Sequence, residues 1–337
     1  MAERLEIRNG LREGYDDVYT PEALAALAAL ASFDRSRRRL MDERMRRRVE
    51  RERRREPLCF LDEDVRIPGT SIRVGDARAG RFSGSEIPGD LVRQWIQGTG
   101  PATRPRASVA NGLRNIAYAL LSGADGWMFD GEDALGQIET MSLDNQRNLR
   151  IALASEERFL DVAERVAGEM NGWAHGFFGR DIVRDWQAQL AFTTVLFRPR
   201  GLHLEDRHLR HADGGGFSAS IADLVLYVTA NAPVLRREGR TLALYLPKIQ
   251  TAGEAALWND LLDALEEHLG LGQGSIKAYV LVEQIEACFQ LMEIRAALGR
   301  HFVGFNTGRW DYINSVADAR RWDRDFVDPN IDEIGMT

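Results

Sequence analysis

Residues 277–312 read KAYVLVEQIEACFQLMEIRAALGRHFVGFNTGRWDY. KAYVLVE is β-branched and apolar, IEACFQLMEIRAAL has helical period, and HFVGFN is again a buried-strand run. The stretch is therefore a strand-helix-strand unit, the building block of a parallel sheet. Residues just past the carboxyl end of a parallel strand face the mouth where α/β enzymes bind and react. Glu283 and Asp311 follow the two strand runs, so they are expected to meet at that mouth although they are distant in sequence. Two hard oxygen ligands converging there suit Mg2+, which keeps several waters and needs few protein carboxylates. The alternative for each acid is a helix cap or a salt-bridge partner.

Working outward, strand and helix alternate. Strands are expected at QWIQG, at GWMFD, at 191–198 and at 241–246, and helices at 105–122, 142–155, 156–170, 218–236 and 252–268. This alternation gives an α/β fold with a parallel sheet. Residues 20–56 form a helical region ended by Pro57, in which DRSRRRLMDERMRRRVERERRRE mixes arginines with acids. Mixed charge marks an exposed helix or one touching the protein's own acidic surface, rather than a nucleic-acid arm. The GGG at 214–216 lacks the strand-loop-helix phosphate fingerprint and reads as a flexible loop.

Composition excludes several classes. The 337 residues are 44% hydrophobic and carry a net charge of −7, which argues against a nucleic-acid footprint spread over the surface. No apolar run approaches the ~18 residues of a membrane helix, and MAERLEIRNG lacks a signal-peptide core, so a cytoplasmic protein is expected. Cys59 and Cys288 are too few for a disulfide framework. Lys248 and Lys277 are the only lysines.

VLVEQIEACFQLMEI and VGFNTGRWDYINS together resemble malate synthase, in particular its shorter A-type form. GADGWMFDGEDA, LFRPRGLHLEDRHL and LYLPKIQTAGEAALWNDLLDALEEHLGLGQGSIKA are similar to further pieces of that family, in the same order, between about Ile87 and Ser315. The resemblance implies a TIM-type (β/α) barrel, here incomplete: six strands are recognisable, whereas a closed barrel has eight. It divides the chain into an N-terminal helical and loop segment, 1–86, and a barrel domain, 87–337, expected to lack the family's last strands and its C-terminal helical domain. A fragment, a split gene product and a relative completed by a second chain all fit that expectation.

The same resemblance implies a reaction: Mg2+-dependent condensation of acetyl-CoA, or a related acyl-CoA, with glyoxylate or a related 2-oxo acid. Glu283 and Asp311 would be the metal ligands. Arg198 closes the strand AFTTVLFR at the same mouth, and in the family this arginine stabilises oxygen charge on substrate and enolate, a role suited to a fixed, forked cation. Glu132 and Asp133 would belong to the metal and glyoxylate pocket. Gly131 replaces the aromatic residue usual in that turn, a change expected to loosen it. Asp130 and Lys248 are expected to support the site from close by, Lys248 through a salt bridge to a site acid. His203 and His208 read as structural. No residue matches the family's carboxylate base, so glyoxylate binding with little malate formation is expected. Two other readings stay open: a carbon-carbon lyase of the citrate lyase β and HpcH aldolase group, and a non-catalytic barrel subunit.

Overall fold

The computed structural model describes residues 5–8, 10–93, 95–97, 106–133, 138–323 and 326, with 95–97 described in backbone only. In chain order the elements are β1 (Leu5–Ile7), α1 (Leu11–Gly14), α2 (Pro21–Leu30), α3 (Phe33–Arg54), α4 (Val74–Arg78), β2 (Trp95–Gln97), α5 (Val109–Leu120) and β3 (Gly126–Asp130). There follow α6 (Met141–Leu153), α7 (Glu157–Phe178), α8 (Trp186–Phe192), β4 (Thr194–Arg198), β5 (Glu205–His211), β6 (Gly216–Ser218), α9 (Ala219–Arg237) and β7 (Leu242–Leu246). The chain continues with α10 (Ala252–Leu269), β8 (Ile276–Val282), α11 (Ile285–Cys288), α12 (Leu291–Leu298), β9 (Phe302–Thr307) and α13 (Arg309–Arg320). The exit loop expected after QWIQG, and RDFVDPNIDEIGMT apart from Phe326, lie outside the described residues.

Six strands form one parallel sheet in the order β2-β3-β4-β7-β8-β9, and among the described residues β2 and β9 do not pair to close it. Among the described residues the expected six strands are present and the barrel is not closed. β3, β4, β7 and β8 are buried along their whole length, as strands covered on both faces must be. Side chains alternate between those faces. Trp127, Phe129, Val195, Phe197, Leu244 and Val280 join the helices in the main core. Met128, Leu196, Tyr245, Tyr279 and Leu281 form a second, inner cluster. Continuing that inner parity by two residues gives Asp130, Arg198 and Glu283 at the carboxyl ends of β3, β4 and β8.

The arginine-rich α3 lies against this framework and pairs with the protein's own acids, as its mixed charge suggests. Arg51 meets Glu286 at 2.8 Å, Arg48 pairs with Asp318, and Arg44 and Arg47 lie 3.9 and 3.8 Å from Glu254. At the helix start, buried Asp34 accepts from Arg37 and Arg38 at 2.9 Å each and contacts His211 at 2.8 Å.

Three local expectations need correction. The helical region 20–56 is two helices, α2 and α3, separated at Ala31–Ser32. IEACFQLMEIRAAL is also broken, into α11 and α12, because Gln290 leaves helical geometry and its side chain accepts from Ala252 N at 3.0 Å. RGLHLEDRHL, where no strand is expected, and GGG, read as a flexible loop, contribute to β5 and β6, which with β1 form a second, antiparallel sheet in the order β1-β5-β6. Its strand EDRHLRH is mostly charged, so hydrophobic alternation gives no signal there.

Candidate active site at the sheet mouth

The site starts from a turn. Asp130 ends β3, and its carboxylate accepts from the backbone N–H of Glu132 at 3.0 Å and of Asp133 at 3.1 Å. This Asx-type turn fixes the direction of the next two acids. Gly131 does not loosen it. A Cβ there would come within 2.6 Å of Arg198 O, and the Gly131 N–H donates to that same oxygen at 2.9 Å. Glycine is what lets the ends of β3 and β4 close up.

Arg198, 2% exposed, is the hub. Its Nη2 donates to Glu132 at 2.8 Å and to Asp133, while Asp130 and Glu283 lie 3.5 and 3.9 Å from its guanidinium. Glu132 is equally buried, and its other oxygen accepts from Gly201 N at 3.0 Å. Burial holds the Glu132 carboxyl above its ordinary pKa against the pull of Lys248 and Arg198. Both its oxygens are engaged with protein groups, and it does not line the cavity described below. A Cβ at Gly201 would reach Glu132 Oε1 at 2.7 Å, so this glycine, unremarked in the sequence, is required for the contact.

Lys248 bridges the acids that converge from different loops. Its ammonium donates to Asp311 at 2.8 Å, to Glu283 at 3.2 Å and to Asp133 at 3.3 Å, and its backbone N–H donates to Glu283 at 2.7 Å. It adopts a left-handed backbone, φ 57, which costs a non-glycine residue roughly 1 kcal/mol or more. Arg44 of α3 donates to the Lys248 carbonyl at 3.0 Å and so helps hold that conformation, a contact no sequence motif signals. Burial alone lowers the Lys248 pKa, but Glu132 and Glu283 outweigh it and hold the group charged.

Glu283 directly follows β8 and is 1% exposed. Burial pushes its carboxyl up to about 7 despite the nearby Lys248 and Arg198. Asp311 sits one step further from its strand than expected, in the first turn of α13 rather than at the end of β9. Burial raises its pKa, but the hydrogen bond and charge of Lys248 prevail and hold it below the usual range. Oxygens of Asp133, Glu283 and Asp311 lie within 4.8 Å of one another. They border a cavity of about 480 Å³ whose wall is Met128, Leu196, Tyr245 and Leu281, with Arg198 at its side and exposed Trp310 at its rim. Asp133, Arg198, Glu283 and Asp311 therefore share one mouth.

Arg200 and His208 stay apart, whereas His203 lies near enough to feel the charges of Arg44, Lys248, Asp133 and Asp311. Arg200 is buried with Asp206 at 2.6 Å and Asp223 at 2.7 Å, a packing role in its loop. His208 lies in β5, and neither it nor His203 belongs to the cluster of potential ligand atoms. No described helix is long and apolar enough to cross a membrane.

Comparison with known proteins gives a consistent family. Residues 194–337 match the family model "Malate synthase, TIM barrel domain". The chain is 34% identical to a malate synthase of Streptomyces clavuligerus, over 96% of this chain and 53% of that protein. It is 32% identical to a malate synthase of Myxococcus xanthus, over 96% of this chain and 52% of that protein. The bifunctional glyoxylate cycle protein of Caenorhabditis elegans is 30% identical over 96% of this chain and 30% of its own length. Among solved structures, the Haloferax volcanii malate synthase magnesium/glyoxylate complex aligns with a TM-score of 0.45 and 14% identity, covering 68% of this chain and 56% of that one. The chain spans about half the length of the curated malate synthases it matches. Over most of its length the chain is similar to malate synthases, and its residues 194–337 match that family's TIM-barrel domain.

Proposed function

We propose that this chain carries the 2-oxo-acid half of a malate synthase site, condensing acetyl-CoA with glyoxylate to give malate and CoA. The observation that supports this most is the convergence of Asp133, Glu283 and Asp311 with Arg198 and Lys248 on one partly apolar cavity. Three carboxylates so close repel each other without a cation, and the ammonium of Lys248 already fills that need. The donor set, hard oxygens only, fits Mg2+. Glu283 and Asp311 would hold it, with Asp133 beside them, and bound there it would polarise the carbonyl of the 2-oxo acid.

The chain's own groups account for the rest of this half-reaction. Arg198 offers a permanent charge at the side of the cavity, and its Nε is buried without a hydrogen-bond partner among the described residues. The forked cation is suited to stabilising charge that develops on the enolate oxygen. Lys248 keeps the carboxylates together before a cation enters, and its flexible stem lets the ammonium withdraw. Met128, Leu196 and Leu281 exclude water from one wall. Glu132, Asp133, Glu283 and Asp311 are each held by Lys248 or Arg198, so none of them is free to take the methyl proton of the thioester. Among the described residues these carboxylates leave no free base, whose loss typically costs ~10²–10⁴-fold, so slow turnover is the expected outcome.

GRWDYINS and RPRGLHL favour this reading over a carbon-carbon lyase. Cys59 and Cys288 are both free thiols, which suits the cytoplasm, where we place the protein. The test is release of free CoA, followed with a thiol reagent above the baseline of the protein's own cysteines. Slow release that needs both glyoxylate and Mg2+, and is lost in Glu283→Gln, is expected. Release independent of glyoxylate would contradict the reading.

A further inference from the structure

At the opposite, amino-terminal end of the sheet lies a second cavity, of about 490 Å³. Arg236, Arg240, Lys277 and Arg300 line it, and Glu86 is the only acid among its lining residues. In a chain of net charge −7, this is a local excess of positive charge. Like charges gathered around one cavity repel, and an anion entering it removes that cost.

The partners of these cations are few. Lys277, only 7% exposed, stands at the second position of β8, on the same inner parity as Tyr279 and Leu281. Its ammonium donates to one carbonyl, Arg300 O, at 2.9 Å, which leaves two of its three N–H donors for a ligand. Burial pulls its pKa below that of an ordinary lysine, and the charges of Glu86 and Glu266 only partly oppose it. Arg236 has no ion pair among the described residues. Arg240 reaches Glu238 at 3.3 Å and Thr193 O at 3.0 Å, and Arg300 donates to Gln273 at 2.5 Å and lies 4.0 Å from Asp263. The contrast with the next layer is direct: Glu266 and His301 close by are fully engaged with backbone groups and with each other's loops.

We propose that this cavity binds a small phosphate-bearing anion, separately from the 2-oxo-acid site. Forked guanidinium groups beside a point-charge ammonium match the geometry and multiple charge of phosphate oxygens. The volume accommodates a phosphate with a small organic body. Lys277 and Glu283 are six residues apart on one extended strand, roughly 20 Å at ~3.3 Å per residue. A ligand here does not touch the mouth, and the inference does not depend on the reaction proposed above.

The test is calorimetry of the full chain, without Mg2+, using inorganic phosphate and pyrophosphate as probes. One pyrophosphate per chain is expected, weakened about tenfold or more in Arg236→Ala and in Lys277→Met, and unchanged in Arg198→Ala. Arg236 is exposed at a helix end, so its variant keeps the test valid where a buried Lys277 variant fails to fold. Failure of the wild-type chain to take up either anion overturns the proposal. So does uptake that survives Arg236→Ala and is lost in Arg198→Ala, which would put the anion at the mouth.

Discussion

Two groups of side chains in this molecule have nearly the same geometry and opposite meaning. Asp133, Glu283 and Asp311 at the mouth, and Asp263, Glu266 and His301 at the floor, each bring three potential ligand atoms within 4.8 Å. At the floor the partners are backbone. Glu266 accepts from Gly274 N at 2.6 Å and Ile276 N at 2.7 Å, and His301 contacts Ile276 O at 2.7 Å and Asp263 at 3.2 Å. Those bonds fasten the end of α10 to the start of β8 and cannot be exchanged for a metal without orphaning buried amides. At the mouth most of the neutralising charge comes from a lysine side chain that can move away. Proximity of ligand atoms alone does not separate the proposed binding site from a structural knot; the nature of the partner does. The difference follows the usual division of a barrel into a reactive carboxyl-terminal face and a stabilising opposite face.

The strongest way to break the comparison is metal binding. Glu283→Ala or Asp311→Ala should weaken Mg2+ uptake at least ~100-fold, and Glu266→Ala should leave it unchanged. Equal losses at both clusters, measured by calorimetry, would erase the distinction. Stability should respond in the opposite sense. Glu266→Ala leaves two backbone N–H groups without their acceptor and should cost ~2–4 kcal/mol in chemical denaturation, since each buried orphan costs ~1–3 kcal/mol. A loss under ~0.5 kcal/mol would mean the floor cluster is not structural.

Lys248→Met sharpens the claim that the mouth's cation is exchangeable. Mg2+ should bind about tenfold more tightly once the competing ammonium is gone, while the metal-free protein becomes less stable. Weaker Mg2+ binding in this variant would make Lys248 a support for the metal rather than its competitor. The smallest effect is on pH dependence. Glu283 holds its proton up to about 7 in the fold, well above the ~4.3 of an unfolded chain. The folded state therefore binds more protons between those values, and metal-free stability should fall as pH rises through that window. Mg2+ needs the ionised carboxylate, so its affinity should fall as pH drops below 7, by up to about tenfold per unit. A flat affinity from pH 6 to 8 would contradict this.

How much of this was legible beforehand follows from where the signal lies. The parallel sheet is readable because GWMFD, TVLFR, LALYL and KAYVLV are short apolar runs separated by helical period. Glu283 and Arg198 are readable because Glu283 directly follows such a run and Arg198 closes one. Asp311 is reached less well, since the strand FVGFNT ends earlier and a helix turn carries the acid back to the mouth. The β1-β5-β6 sheet gives no warning because its strands are short and charged. Contacts such as Arg44 to Lys248 O and Gly201 N to Glu132 are invisible in one dimension, being made between distant segments with no periodic pattern.

In the proposed site, residues from separate loops bind Mg2+ and a 2-oxo acid together. Calorimetric titration of glyoxylate into the full chain, with and without Mg2+, tests it most directly. Glyoxylate is expected to bind at least about tenfold tighter with Mg2+, a coupling of ~1.4 kcal/mol that disappears in Asp311→Ala. Glyoxylate binding of equal strength with and without Mg2+ in the wild-type chain would contradict it.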